Sequence, residues 1–117
     1  MVDDHPGVRR GLELSLGSVA DLVVVGCAAG GEEAVAMADR LAPDVIVMDL
    51  AMPRVNGVAA TRLVRRRARR RAVVALSGSR ELMREAVAAG VSATVLKDAD
   101  PAELVAAIRK AARRDLR

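Results

Sequence analysis

Val45-Ile46-Val47-Met48, closed by Asp49, is the stretch that leaves this chain the fewest ways to fold. A continuous apolar run of this length suits a strand buried on both faces. Pro43 precedes it, and Pro53-Arg54-Val55-Asn56-Gly57 follows it, so turn signals bound it on both sides. Asp49 therefore falls where a buried strand surfaces, at its carboxyl end. That edge is where open α/β sheets keep their ligands.

The rest of the chain repeats the unit. Pro6 suits a first helical turn, and Val8, Leu12, Leu16 and Val19 trace one helical face. Leu22-Val23-Val24-Val25 reads as a short strand, and the glycine-rich stretch Gly26–Gly31 as a loop. Glu32–Leu41 reads as a second helix, with Val35, Ala38 and Leu41 inward and two acids in its first turn. Gly57 opens a third helix that runs to about Arg67. Ala72–Leu76 is another buried strand, ending in Ser77-Gly78-Ser79. A fourth helix, Glu81–Ala89, is stopped by Gly90. Ala93–Leu96 is a short strand ending in Lys97-Asp98. Asp100 caps the last helix, Pro101 starts it, and Leu104, Ile108 and Ala111 form its inward stripe. Alternation of this kind implies a parallel sheet with helices on both faces and right-handed crossovers.

Bulk properties agree with one globular domain over residues 1–117. No aromatic residue occurs, so Leu, Val, Ala, Ile and Met must fill the core. Cys27 is the sole cysteine and reads as a small buried residue; with no internal disulfide available, a reducing, cytoplasmic setting is expected. No apolar run approaches the ~18 residues of a membrane span, and no signal peptide is seen. The formal charge of +4 comes largely from Arg65-Arg66-Arg67-Ala68-Arg69-Arg70-Arg71. That run lacks interleaved aromatics and reads as a solvated helix end, not a nucleic-acid surface. His5 reads as a loop residue.

The residues that follow the strands carry the chemistry. Asp3 and Asp4 follow Met1-Val2, Asp49 ends the central run, Ser77 follows the next strand and Lys97 the last. In a parallel sheet all these ends share one edge. Clustered acids repel, so such a site asks for a divalent cation, and an all-oxygen set suits Mg²⁺. A carboxylate beside that cation can attack phosphorus, while a lysine and a hydroxyl hold the oxygens of the transferred group.

Asp3-Asp4-His5-Pro6, Met48-Asp49-Leu50-Ala51-Met52-Pro53 with Gly57, Leu76-Ser77 and Leu96-Lys97-Asp98-Ala99 together resemble the receiver domain of bacterial two-component response regulators. The wording is most similar to the subfamily that carries a LuxR-type helix-turn-helix after the receiver. The resemblance implies a flavodoxin-like (βα)5 fold, a doubly wound parallel sheet of strand order 2-1-3-4-5. It implies Asp49 as phosphoacceptor, Asp4 as direct Mg²⁺ ligand, Asp3 acting through water, and Asp49 with the Ala51 backbone carbonyl completing the ligands. Ser77 is then the switch hydroxyl and Lys97 the phosphate partner. A sensor histidine kinase donates the phosphoryl group, and the face of the fourth helix, fifth strand and fifth helix changes partners, often to form a homodimer. The chain is expected to signal, not to turn over a substrate; a phosphohydrolase would want a second acid where Ala51 stands.

Departures from the pattern motivate an alternative. Only Met1 and Val2 precede the acids, so the first strand is truncated. Thr94 stands three residues before Lys97, where receivers carry Tyr or Phe. No DNA-binding domain follows within this chain, so no direct DNA contact is expected from it. A degenerate receiver, a binding module that never takes phosphate, is the alternative reading.

Overall fold

The apolar runs form the sheet. Val45–Asp49 is β1, Ala72–Ser77 is β2 and Ala93–Leu96 is β3, all parallel and in the order β1-β2-β3. This is a computed structural model, and it describes residues 1, 2, 6–50, 57–67 and 71–115. The side chains of 6, 8, 9, 12, 15, 67, 114 and 115 lie outside that description, and with them the expected inward contacts of Val8 and Leu12. The helices are α1 (Pro6–Gly17), α2 (Gly31–Leu41), α3 (Gly57–Arg67), α4 (Arg80–Ala89) and α5 (Pro101–Asp115). None is long and apolar enough to cross a membrane.

Both faces of the sheet are covered, which is why its strands are apolar at successive positions. Ile46, Met48, Val73 and Ala75 pack on one side with Val2 and with α2, α3 and α4. Val47, Ala72, Val74, Leu76 and Val95 pack on the other with Leu16 of α1 and Leu104, Ile108 and Ala111 of α5. The period-two alternation of each strand thus divides one run of aliphatic residues between two cores. The α/β doubly wound architecture is as expected.

The expected stops and caps are in place. Gly90 closes α4 with φ at 98°, a left-handed geometry that glycine adopts without steric cost. Ser79 caps α4 by accepting from the Leu82 N–H, and Asp100 Oδ1 accepts from the Ala102 N–H at 2.8 Å.

Three expectations need correction. Residues 22–25 do not form a strand. The reason is the shortness of the neighbour they would pair with. Val2 bridges Met48 on one side and Ala28 on the other, and these are isolated bridges. The Val2 N–H donates to the Val47 carbonyl (2.7 Å), the Asp49 N–H to the Val2 carbonyl (2.9 Å), and the Ala28 N–H to the Met1 carbonyl (2.8 Å). Across the molecule, the order is therefore residue 28, Val2, β1, β2, β3, the 2-1-3-4-5 arrangement with its first two strands reduced to bridges. Leu41, expected inward on α2, is partly exposed, because the wall it would cover is incomplete. Cys27 is only half-buried.

Candidate functional site

Three chain segments meet at the carboxyl edge of the sheet. Asp49 is the last residue of β1 and its side chain is 0% exposed. The register pairs Asp49 with Leu76, so the next residue of β2, Ser77, lies at the same edge, itself buried. Lys97 follows β3, and its N–H donates to the Ser77 carbonyl at 3.1 Å. Its ammonium then reaches Asp49, with Nζ donating to Oδ2 at 2.8 Å. A carboxylate withdrawn from water is costly unless a charge-assisted bond offsets the lost hydration, and Lys97 supplies one. About a third of the Lys97 side chain remains exposed, so the ammonium sits at the mouth, between the buried carboxylate and solvent.

The Ser77 hydroxyl is engaged locally. Oγ accepts from the Ser79 N–H at 2.9 Å and donates to the Ser79 carbonyl at 3.0 Å. These bonds hold the turn that leads into α4. The same hydroxyl is thus tied to the helix next to it, and any new partner must compete with that turn.

The site is brought close to α3 by a glycine. The Gly57 N–H donates to the Leu50 carbonyl at 3.2 Å, and a Cβ on Gly57 would lie 2.6 Å from the Leu50 Cα and against the Asp49 carbonyl. Only a residue without a side chain lets the start of α3 approach the end of β1 this closely. Thr61, one turn into α3, is fully buried and donates from Oγ1 to the Gly57 carbonyl at 2.7 Å. The sequence reading passed over Thr61; its spacing of three from both Val58 and Val64 is the signal that it shares their buried face.

Thr94 lies inside β3, paired with Ala75 and half-buried. Asp3, Asp4, His5 and Ala51 lie outside the described residues. Val2, to which Asp3 is covalently joined, is bridged to Met48, the residue before Asp49. The Met1 ammonium donates to the Gly26 carbonyl at 3.2 Å. Burial pushes its pKa below the ordinary value, while the nearby Cys27 and Glu13 oppose that shift. Among the described residues no three of His, Cys, Asp and Glu gather into a metal-binding group.

The arrangement has counterparts among known proteins. The response regulator receiver domain family matches residues 1–109. The nitrate/nitrite response regulator protein NarL of Escherichia coli K12 is 34% identical over 114 residues, 96% of this chain and 53% of that protein. The response regulator protein VraR of Staphylococcus aureus is 38% identical over 115 residues, 96% of this chain and 54% of that protein. The response regulator domain of Thermotoga maritima CheB superposes with a TM-score of 0.90 at 33% identity, covering 97% of this chain and 94% of that one. The chain spans about half the length of the curated relatives it matches.

Proposed function

The chain belongs to the response regulator receiver domain family, and from that premise we propose that Asp49 accepts a phosphoryl group from a partner histidine kinase. The observation that carries this reading is the 2.8 Å contact between Lys97 Nζ and a fully buried Asp49 carboxylate at the end of β1. An acid placed there to cap a turn would not need an amine brought in from the end of another strand. As a receiver domain the chain is part of a two-component system.

The chemistry follows from the charges. An Asp49 oxygen attacks phosphorus, the P–N bond to the donor imidazole breaks, and the imidazole leaves, giving an aspartyl phosphate. Lys97 already lies against this carboxylate, so its ammonium can follow the charge from Oδ2 to a phosphoryl oxygen. The proposed Mg²⁺ donors, Asp3, Asp4, Asp49 and the Ala51 carbonyl, are all oxygens, which suits a hard cation. When bound, the ion would neutralise charge on the transferred phosphoryl oxygens.

Signal output then rests on Ser77. A phosphoryl group on Asp49 offers its hydroxyl a charged acceptor, in competition with the neutral Ser79 carbonyl. Withdrawing Ser77 from that turn loosens the start of α4 and shifts the face formed by α4, β3 and α5. Val87 of α4 and Leu96 of β3 are exposed there, 64% and 43%, as a contact surface for a partner or a second copy requires.

Incubation with Mg²⁺ and acetyl phosphate tests the proposal by intact mass. A gain of one phosphoryl group that is lost in Asp49→Asn and blocked by a chelator is expected. Unmodified protein at saturating donor would contradict it.

A further inference from the structure

Residues 50–80 hold nine arginines and no acid, while the rest of the chain carries ten Lys and Arg against fifteen Asp and Glu. The positive excess of an otherwise acidic chain is thus gathered in one stretch. Part of that stretch lines a shallow groove of about 420 Å³, where Arg62, Arg65 and Arg66 of α3 meet Ala88 and Ala89 of α4.

Arg65 anchors the groove. It is half-buried, its Nη1 donates to the Arg71 carbonyl at 2.8 Å, and its stem runs past Gly90. Arg71 directly precedes Ala72, which pairs with Val45 at the start of β1. The groove therefore lies toward the amino edge of the sheet, away from Asp49. Arginines in the last turn of a helix complement its carbonyl end. Arg62, however, stands more than a turn before the end of α3. Arg62 and Arg66 are exposed and carry no ion pair among the described residues. They are four residues apart, the spacing at which like charges repel on a helix. An anion lying between them relieves that repulsion.

We propose that this groove binds an extended, carboxylate-rich segment of a partner protein. A guanidinium fork matches a carboxylate with two bonds at once, and arginine clusters serve to receive acidic motifs. Four residues of α3 rise ~6 Å, and alternate residues of an extended chain stand ~6.7 Å apart. Carboxylates two positions apart can therefore meet Arg62 and Arg66 together, and the small Ala88 and Ala89 leave room for the peptide backbone. Nucleic acid fits less well. A duplex is read by an element that projects into its groove, whereas these side chains line a recess. A single strand stacks on aromatic rings, of which this chain has none. The concentrated positive charge also steers an acidic partner toward this edge.

Titration of the 117-residue chain with the peptide acetyl-Gly-Glu-Ala-Glu-Ala-Glu-Gly-amide, followed by NMR at low salt, tests the proposal. Saturable shifts confined to residues 62–66 and 88–90 are expected, abolished when Gln replaces each Glu of the peptide and weakened by salt. Arg62→Gln with Arg66→Gln should weaken binding by about fivefold or more, while Lys110→Gln with Arg113→Gln, which removes the same charge from α5, should change it by less than about twofold. Arg62→Lys with Arg66→Lys keeps the charge but not the fork, and should bind between the parent and the Gln pair. Each substituted residue is exposed, so every variant should keep the parent's thermal midpoint. The proposal is overturned by absence of saturable shifts, by equal binding of the Gln peptide, or by equal losses in the two Gln pairs, which would reduce the effect to net charge. Duplex DNA that displaces the peptide from these same residues would also overturn it, making the occupant a nucleic acid. No phosphodonor enters the experiment, so its outcome is independent of Asp49.

Discussion

Asp49 and Lys97 show how much a single residue can be asked to do. A fully buried carboxylate meets an ammonium on a side chain that is about a third exposed, and the contact matters because a buried carboxylate is costly without a charge-assisted donor. Lys97→Met should lower stability in urea by about 1–3 kcal/mol, since Asp49 loses its charge-assisted donor. Adding Asn at 49 should recover part of that loss, and a double-mutant cycle that showed strict additivity would remove the coupling. Gly57 acts through space, not charge. Gly57→Ala forces a methyl group onto the Asp49 and Leu50 backbone and should cost about 1–3 kcal/mol by the same measurement. An unchanged urea midpoint would mean that α3 can retreat from β1 without loss.

At the scale of elements, most of the architecture could be read in advance because local signals and burial agree. The apolar runs became β1, β2 and β3, Gly90 and Asp100 stop and start helices where expected, and Leu104, Ile108 and Ala111 face inward. Residues 22–25 failed for a reason no local pattern carries: a strand needs a partner, and among the described residues Met1 and Val2 pair beyond them, with Gly26 and Ala28. The convergence of Asp49, Ser77 and Lys97 on one sheet edge was legible because each ends or directly follows an apolar run in the sequence. The Ser77–Ser79 turn and the buried Thr61 were not, since both depend on which way a hydroxyl points. One tie between elements was equally hidden. Arg109 of α5 grips Asp21 with two bonds, Nε to Oδ2 at 3.0 Å and an Nη to Oδ1 at 2.8 Å. The hydrogen bond from Arg109 holds the Asp21 carboxyl below its ordinary 3.8. A depressed folded-state pKa means that the pair stabilises the fold above 3.8 and that this contribution fades as pH falls through the lower folded value. Arg109→Ala should therefore lower the thermal midpoint slightly at neutral pH, and the gap to the parent should close in strong acid or high salt. A gap that held constant across that range would assign the effect to packing of the arginine stem.

For the whole molecule, the sheet is a device for gathering. Asp49, Ser77 and Lys97 are separated by 28 and 20 residues along the chain, yet parallel strands bring them to one edge because all their carboxyl ends face the same way. Two aliphatic cores back that edge from both sides, and the turn between Ser77 and Ser79 is a joint that side-chain chemistry can open. Whether Asp49 is the acceptor can be read from the product. Acyl phosphates are reduced by borohydride to the alcohol, so phosphorylated aspartate becomes homoserine. After treatment with Mg²⁺ and acetyl phosphate, then borohydride, peptide mass spectrometry should find homoserine at position 49 and unchanged aspartate elsewhere. Homoserine at another acid, or none at all in protein that has gained phosphate, would contradict the account.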